Sequence, residues 1–220
     1  MYSSRGPAGL GVRVVTQTLW IALLLALSAW SATEEAFDYG PFDYTNAELV
    51  RTKLPVVEQY HFNRDVETLT ATMPGGSIGA HLWYVIRSFP NHHRALVSYA
   101  RLWRMSLAKG SPPDGVAPDK DPDYVFRRAM DFAPADGMVP LIYGLHLIET
   151  GDKTNARAML EEASRIGPES AELHYNLGLG YLKLGDTASA SRHAEKAYAM
   201  EYPLPGLRNK LIAAGIWKDR

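Results

Sequence analysis

The stretch AELHYNLGLGYLKLGDTASASRHAEKAYAMEYP, residues 171–203, has the composition of helix yet carries Gly178 and Gly185, with Ala190 and Ala197 after them. A glycine inside a helix costs about 1 kcal/mol relative to alanine, so it marks a place where something packs too close for a side chain. Moved back by 34 residues, the stretch lies on GMVPLIYGLHLIETGDKTNARAMLEEASRIGPES, residues 137–170. Gly144 then falls on Gly178, Gly151 on Gly185, Asp152 on Asp186, Ala156 on Ala190, and Ala163 on Ala197. Small residues kept in register at a fixed period predict a repeated supersecondary unit, each copy burying its apolar face on the next.

Two antiparallel helices per unit satisfy this pattern. Gly144, Gly178 and the paired alanines are expected where helices cross, with Tyr143, Leu147, Leu160, Leu177 and Tyr181 filling the space beside them. Gly151-Asp152 and Gly185-Asp186 read as tight turns, the glycine left-handed at the helix end and the aspartate capping the next helix. The period, the small residues, the turn glycines and Pro168 near the end of the unit resemble the tetratricopeptide repeat. That resemblance covers residues 92–217, where 137–170 and 171–204 are the two regular units. It departs from the family pattern at Pro140 and His174, which replace a large aromatic, and at Tyr202, where the proline comes one residue later as Pro203.

Upstream, DYVFRRAMDFAPAD (123–136) fits the second helix of an earlier unit through Phe126, Ala129 and Pro134. Leu96, Tyr99, Ala100 and Trp103 in HHRALVSYARLWRMSLAK fit its first helix, and the Pro- and Gly-rich GSPPDGVAPDKDP between them is an enlarged loop. Residues 92–136 are thus an irregular unit. Residues 46–91 read as an N-terminal helical region, with helices over 46–60, 64–72 and 78–88 and breaks at Pro55 and at MPGGS (73–77). Residues 205–220 hold a last helix, with Leu207, Leu211 and Ala214 on one face and Arg208 and Lys210 exposed, as a repeat array needs at its end. The expected fold class is all-α, a helical-hairpin solenoid with an N-terminal helical extension.

Composition bounds the function. The 220 residues are 46% hydrophobic and 21% charged, with a formal net charge of -1, which argues against a nucleic-acid partner recognised through general basicity. There is no cysteine, so disulfides, thiolate metal sites and cysteine nucleophiles are excluded. Arg5 and Arg13, the apolar run from Leu19 to Trp30, and Ala29, Ser31 and Ala32 read as a secretory signal over residues 1–31, cut after Ser31. The alternative is an uncleaved anchor, since Val14 to Ala32 carries no charge and is long enough to span a bilayer. Residues 32–45 contain Phe-Asp-Tyr twice, at 37–39 and 42–44, around Gly40-Pro41; this extended aromatic and acidic segment docks either on a partner or across the protein's own surface.

The resemblance implies a concave surface, formed by the first helices, that binds proteins or peptides. Its positions carry Arg94, Val97, Arg101 and Arg104, then Met138, Leu141, Leu145 and Ile148, then Glu172, Tyr175, Leu179 and Leu182, an apolar groove with arginines at one end. It is open to an amphipathic helix or extended segment, or else filled by the N-terminal helices or the Phe-Asp-Tyr arm. A carboxylate clamp is disfavoured: Asn176 sits at one clamp position, but Ile142 replaces the asparagine needed before it and Lys210 is only a partial third point.

No catalytic residue, metal site or cofactor is assigned. His92 and His93 are neighbours on a helix, about 100° apart, and PNHHRAL reads as a helix start with Asn91 as cap. MPGGSIGAH (73–81) follows a helix and lacks the lysine of a phosphate loop, so it reads as a turn. Glu161-Glu162 reads as solvated charge. The expected function is a non-catalytic adaptor or assembly factor in a bacterial envelope, exported to the periplasm, contacting the membrane only through an uncleaved N-terminal segment. The alternative is an accessory or enzyme of wall or polysaccharide handling with its site between the N-terminal helices and the repeat array, a reading that a deep polar pocket around His61, His81 and His92 would favour.

Overall fold

A computed structural model describes residues 39–217; the signal segment and Phe37-Asp38 lie outside the described residues. These fold into helices α1 (Ala47–Thr52), α2 (Leu54–His61), α3 (Arg64–Thr68), α4 (Ile78–Ser88), α5 (His93–Leu107), α6 (Pro122–Phe132), α7 (Met138–Thr150), α8 (Lys153–Ile166), α9 (Ala171–Lys183), α10 (Thr187–Ala199) and α11 (Gly206–Ala213). There is no strand among the described residues. None of these helices is long and apolar enough to cross a membrane.

The closest packing is within the hairpins α7–α8 and α9–α10. At the first crossing a β-carbon on Gly144 would lie 2.9 Å from Leu160 Cδ2 and 3.2 Å from the Ala156 carbonyl oxygen. A β-carbon on Gly178 would lie 2.5 Å from Leu207 Cδ2 of α11 and 3.4 Å from the Ala190 carbonyl oxygen across the second crossing. Ala156, Ala163, Ala190 and Ala197 are all fully buried, so the missing side chains let these backbones approach. Gly151 (φ 91°) and Gly185 (φ 80°) end α7 and α9 in the left-handed region, followed by Asp152 and Asp186, which accept from the backbone N–H of Asn155 and Ser189. Pro168 lies exposed in the connection between the hairpins.

The first helices of the hairpins also touch in series, α5 on α7, α7 on α9 and α9 on α11. Two apolar clusters result. One joins α2–α7 around Phe89, Leu96, Tyr99 and Phe126, the other α7–α11 around Leu160, Leu173, Leu177 and Leu207. Adjacent Leu141 and Ile142 belong to different clusters, so α7 is apolar nearly all round.

Several local expectations are corrected. The 46–60 helix is two, α1 and α2, with Pro55 in the first turn of α2, where a missing N–H costs nothing. α3 stops at Thr68, because Leu69 adopts the left-handed conformation (φ 63°). The cap of α5 is His92, whose Nδ1 accepts from Ala95 N at 3.1 Å. Asn91 is instead wholly buried in a polar knot, donating to Asp43 Oδ1 (2.8 Å) and Asp136 Oδ2 (2.9 Å) and accepting from Tyr44 N (2.9 Å). Ala214 lies past the end of α11 and is exposed, whereas the Arg208 guanidinium lies over the Tyr198 ring at 4.3 Å. From Tyr39 on, the aromatic arm is strapped to the protein itself: Phe42 N donates to Ser88 O (2.7 Å), and Phe42 and Tyr44 pack on Phe89.

Candidate functional site

Leu145 of α7 and Leu179 of α9 line a groove of about 320 Å³ together with Val97 and Ala100 of α5 and Ile142 of α7. Above this apolar floor stand Arg101 and Arg104 of α5, Lys183 of α9 and Lys210 of α11, with Glu149 as the one acid in the lining. The serial contact of α5, α7, α9 and α11 brings residues from four separate helices to one surface.

The charges are partly engaged. Lys183 Nζ donates to Glu149 Oε1, which holds the Glu149 carboxyl below its ordinary value. Arg104 Nη1 donates to His146 Nδ1 at 3.0 Å. Burial, and after it the Arg104 charge, lowers the His146 pKa, so at neutral pH this ring is an uncharged acceptor. Arg101 and Lys210 have no hydrogen bond or ion pair with any described residue, so the groove keeps a positive rim over an apolar floor.

The structure gathers Val97, Arg101, Arg104, Leu145 and Leu179 in this groove, while the other expected groove residues do not line it. Leu141 is a correction: it is 1% exposed, turned into the cluster with Leu160 and Leu173. Tyr175 is another, buried at 8% exposure, because its ring packs on Tyr202 at 4.4 Å and α11 closes over that end. Arg94 is also corrected. Its Nε and Nη2 donate to the two carboxylate oxygens of Glu67 (2.7 and 2.6 Å) and Nη1 to Glu58, so α2 and α3 occupy its end of the surface. Asn176 donates to the Glu172 carbonyl of its own helix, and Ile148 and Leu182 pack half-buried on the second cluster. Of the disfavoured clamp, Ile142 and Lys210 line the groove and Asn176 does not.

Sequence reading missed Ala100, His146, Glu149 and Lys183. Three of them were within its reach: His146 lies four residues after Ile142, Glu149 after Leu145, and Lys183 after Leu179. A spacing of four returns to the same helix face one turn on.

The other histidines form separate contacts. His61 Nδ1 meets His81 Nδ1 at 3.0 Å, and His81 Nε2 meets the Met73 carbonyl at 3.1 Å. His92 is fully buried and bonded to Glu58 at 3.1 Å, while His93 donates to Asp136 at 2.8 Å. His61, His81 and His92 are therefore divided between two contacts, and each is engaged within the fold. No group of three or more His, Asp or Glu side chains among the described residues is placed to hold a metal ion. No family model, curated protein or solved structure matches the chain.

Proposed function

We propose that residues 92–217 form a tetratricopeptide-like solenoid and that its groove docks an amphipathic segment of a partner protein, one with an apolar face and acidic residues beside it. The protein then serves as an adaptor or assembly factor, exported to the envelope if the N-terminal segment acts as its composition predicts. The observation that carries the reading is that one groove is lined both by Leu145 and Leu179 and by Arg101, Arg104, Lys183 and Lys210. Apolar burial provides affinity in such grooves, and the rim selects partners by sign of charge.

The experiment uses two labelled peptides of one Leu-rich helical pattern, one with Glu and the other with Lys at the flanking positions. Anisotropy titration is expected to show the acidic peptide binding, with affinity falling as salt rises. Changing Leu145 and Leu179 to Asp is expected to abolish binding, and R101E with K210E to shift preference toward the basic peptide, while circular dichroism confirms that both variants stay folded. Equal affinity for both peptides, or binding indifferent to either variant, overturns the reading.

A further inference from the structure

On the other side of the α9–α10 hairpin a hydrogen-bond chain fixes the tautomers of two histidines. Glu169, in the connection before α9, takes a hydrogen bond from Lys196 Nζ at 3.0 Å and from His174 Nε2 at 2.8 Å. Those contacts, the His174 one foremost, hold its carboxyl down at about 2, so it is ionised and accepts only. His174 Nε2 therefore carries a hydrogen, and in the neutral ring Nδ1 is left as acceptor. That Nδ1 faces His193 Nδ1 at 3.1 Å. With the His174 ring neutral, His193 donates from Nδ1 and keeps its lone pair on Nε2.

The His193 Nε2 atom has no hydrogen-bond partner among the described residues. Nor is it sealed in, because the one buried side-chain polar atom among them without a partner is Arg208 Nε. It opens onto a cavity of about 330 Å³ lined by Glu161, Ser164, Tyr181, Arg192, His193 and Lys196. The His193 and Tyr181 rings lie nearly parallel (7°), with centroids 5.4 Å apart, and make one wall. The Tyr181 and Ser164 hydroxyls have no hydrogen-bond partner among the described residues either. The lining thus offers an acceptor at His193 and hydroxyls at Tyr181 and Ser164.

We propose that this cavity binds a small hydroxylated carboxylic acid, with one ligand hydroxyl donating to His193 Nε2 and the carboxylate resting on Arg192. A hydroxyl there completes a series of bonds all running one way, from ligand to His193, to His174, to the Glu169 carboxylate, and bonds so aligned strengthen one another. Arg192 uses Nη2 on Ser189 Oγ and keeps its remaining donors for the carboxylate. Lys196 is already paired with Glu169, which leaves Arg192 as the cation that can take a carboxylate, and Glu161 in the same lining opposes the second negative charge of a phosphate. This site lies apart from the groove and does not depend on it.

The test is nitrogen-15 NMR of the histidines, read without ligand and with D-gluconate, glucose, butyrate and glucose 6-phosphate. The expected free-state pattern is hydrogen on His174 Nε2 and on His193 Nδ1. Gluconate is expected to shift the His193 Nε2 resonance at millimolar concentration, with glucose, butyrate and the phosphate each roughly tenfold weaker for want of one matched group. R192Q should erase the preference for gluconate over glucose, and H193F should abolish the response with helicity unchanged. Reversed tautomers, or a His193 signal that gluconate does not move, overturn the proposal. So does a response to glucose or butyrate equal to that of gluconate.

Discussion

A β-carbon on Gly144 would stand 2.9 Å from Cδ2 of Leu160, so these two residues fit together because one of them has no side chain. Leu160 is fully buried, and its other neighbours include Gly180 of the next hairpin, where a β-carbon would also be 2.9 Å away. One leucine therefore keys α8 to both α7 and α9.

Alanine at Gly144 gains about 1 kcal/mol of helix propensity but meets the Ala156 carbonyl at 3.2 Å, and backbone yields less than a side-chain tip. A net loss of about 1 kcal/mol is expected. At Gly178 the nearest atom is the mobile end of Leu207 and the Ala190 carbonyl is 3.4 Å away, so alanine there should cost less. L160A should cost about 2–5 kcal/mol, the range for opening a cavity in a packed core. Urea denaturation orders the three, and a stabilised G144A would contradict the packing described.

Acid should weaken the fold through its histidines. Burial, and next the neighbouring His174, lowers the His193 pKa to about 4, against about 6.5 for a free histidine. A pKa depressed in the folded state means that the unfolded chain binds the proton more readily, so this stability is whole above pH 6.5 and is lost as pH falls toward 4. His61, His92 and His146 shift in the same direction, each mainly through burial. Melting temperature is expected to drop between pH 7 and pH 5 by an amount equivalent to roughly 2 kcal/mol. H193Q should flatten that slope; an unchanged slope would show that His193 contributes nothing to it.

Asn91 ties three segments together, since its amide joins Asp43 of the arm and Asp136 before α7 while its oxygen holds Tyr44 N. N91L removes both donations to carboxylates, one of them the buried Asp136, and is expected to cost about 2–3 kcal/mol. Hydrogen exchange should show the arm around residues 42–44 opening first. Protection there equal to that of the unaltered protein would remove the knot's assigned role.

Arg94 reaches both oxygens of Glu67, yet the guanidinium is half-exposed, so the pair should contribute about 1 kcal/mol or less. R94A is expected to loosen α3 against α5 with little change in global unfolding. Exchange rates in residues 64–69 measure the local effect, and a large global loss would mean that the contact bears more than a surface pair does.

The regular hairpins were legible because their cause is local. Gly151-Asp152 and Gly185-Asp186 announce turns by backbone conformation alone, and buried small residues must recur wherever identical crossings recur. The N-terminal helices were legible in outline and not in their ends, because Leu69 leaves the helix in a left-handed conformation that leucine rarely adopts, and no local preference announces it.

The groove divides the same way. Leu145, Leu179, Arg101 and Arg104 follow from helix periodicity. Leu141 and Tyr175 have the same spacing and a different fate, because α7 is flanked by two apolar clusters and α11 folds back over the last repeat. The sequence by itself determined the two regular hairpins and their turns, through interactions within a few residues. Tertiary structure decided which apolar face stayed open, that Arg94 is held by Glu67, and that His174 and His193 meet, because each depends on distant segments competing for the same surface.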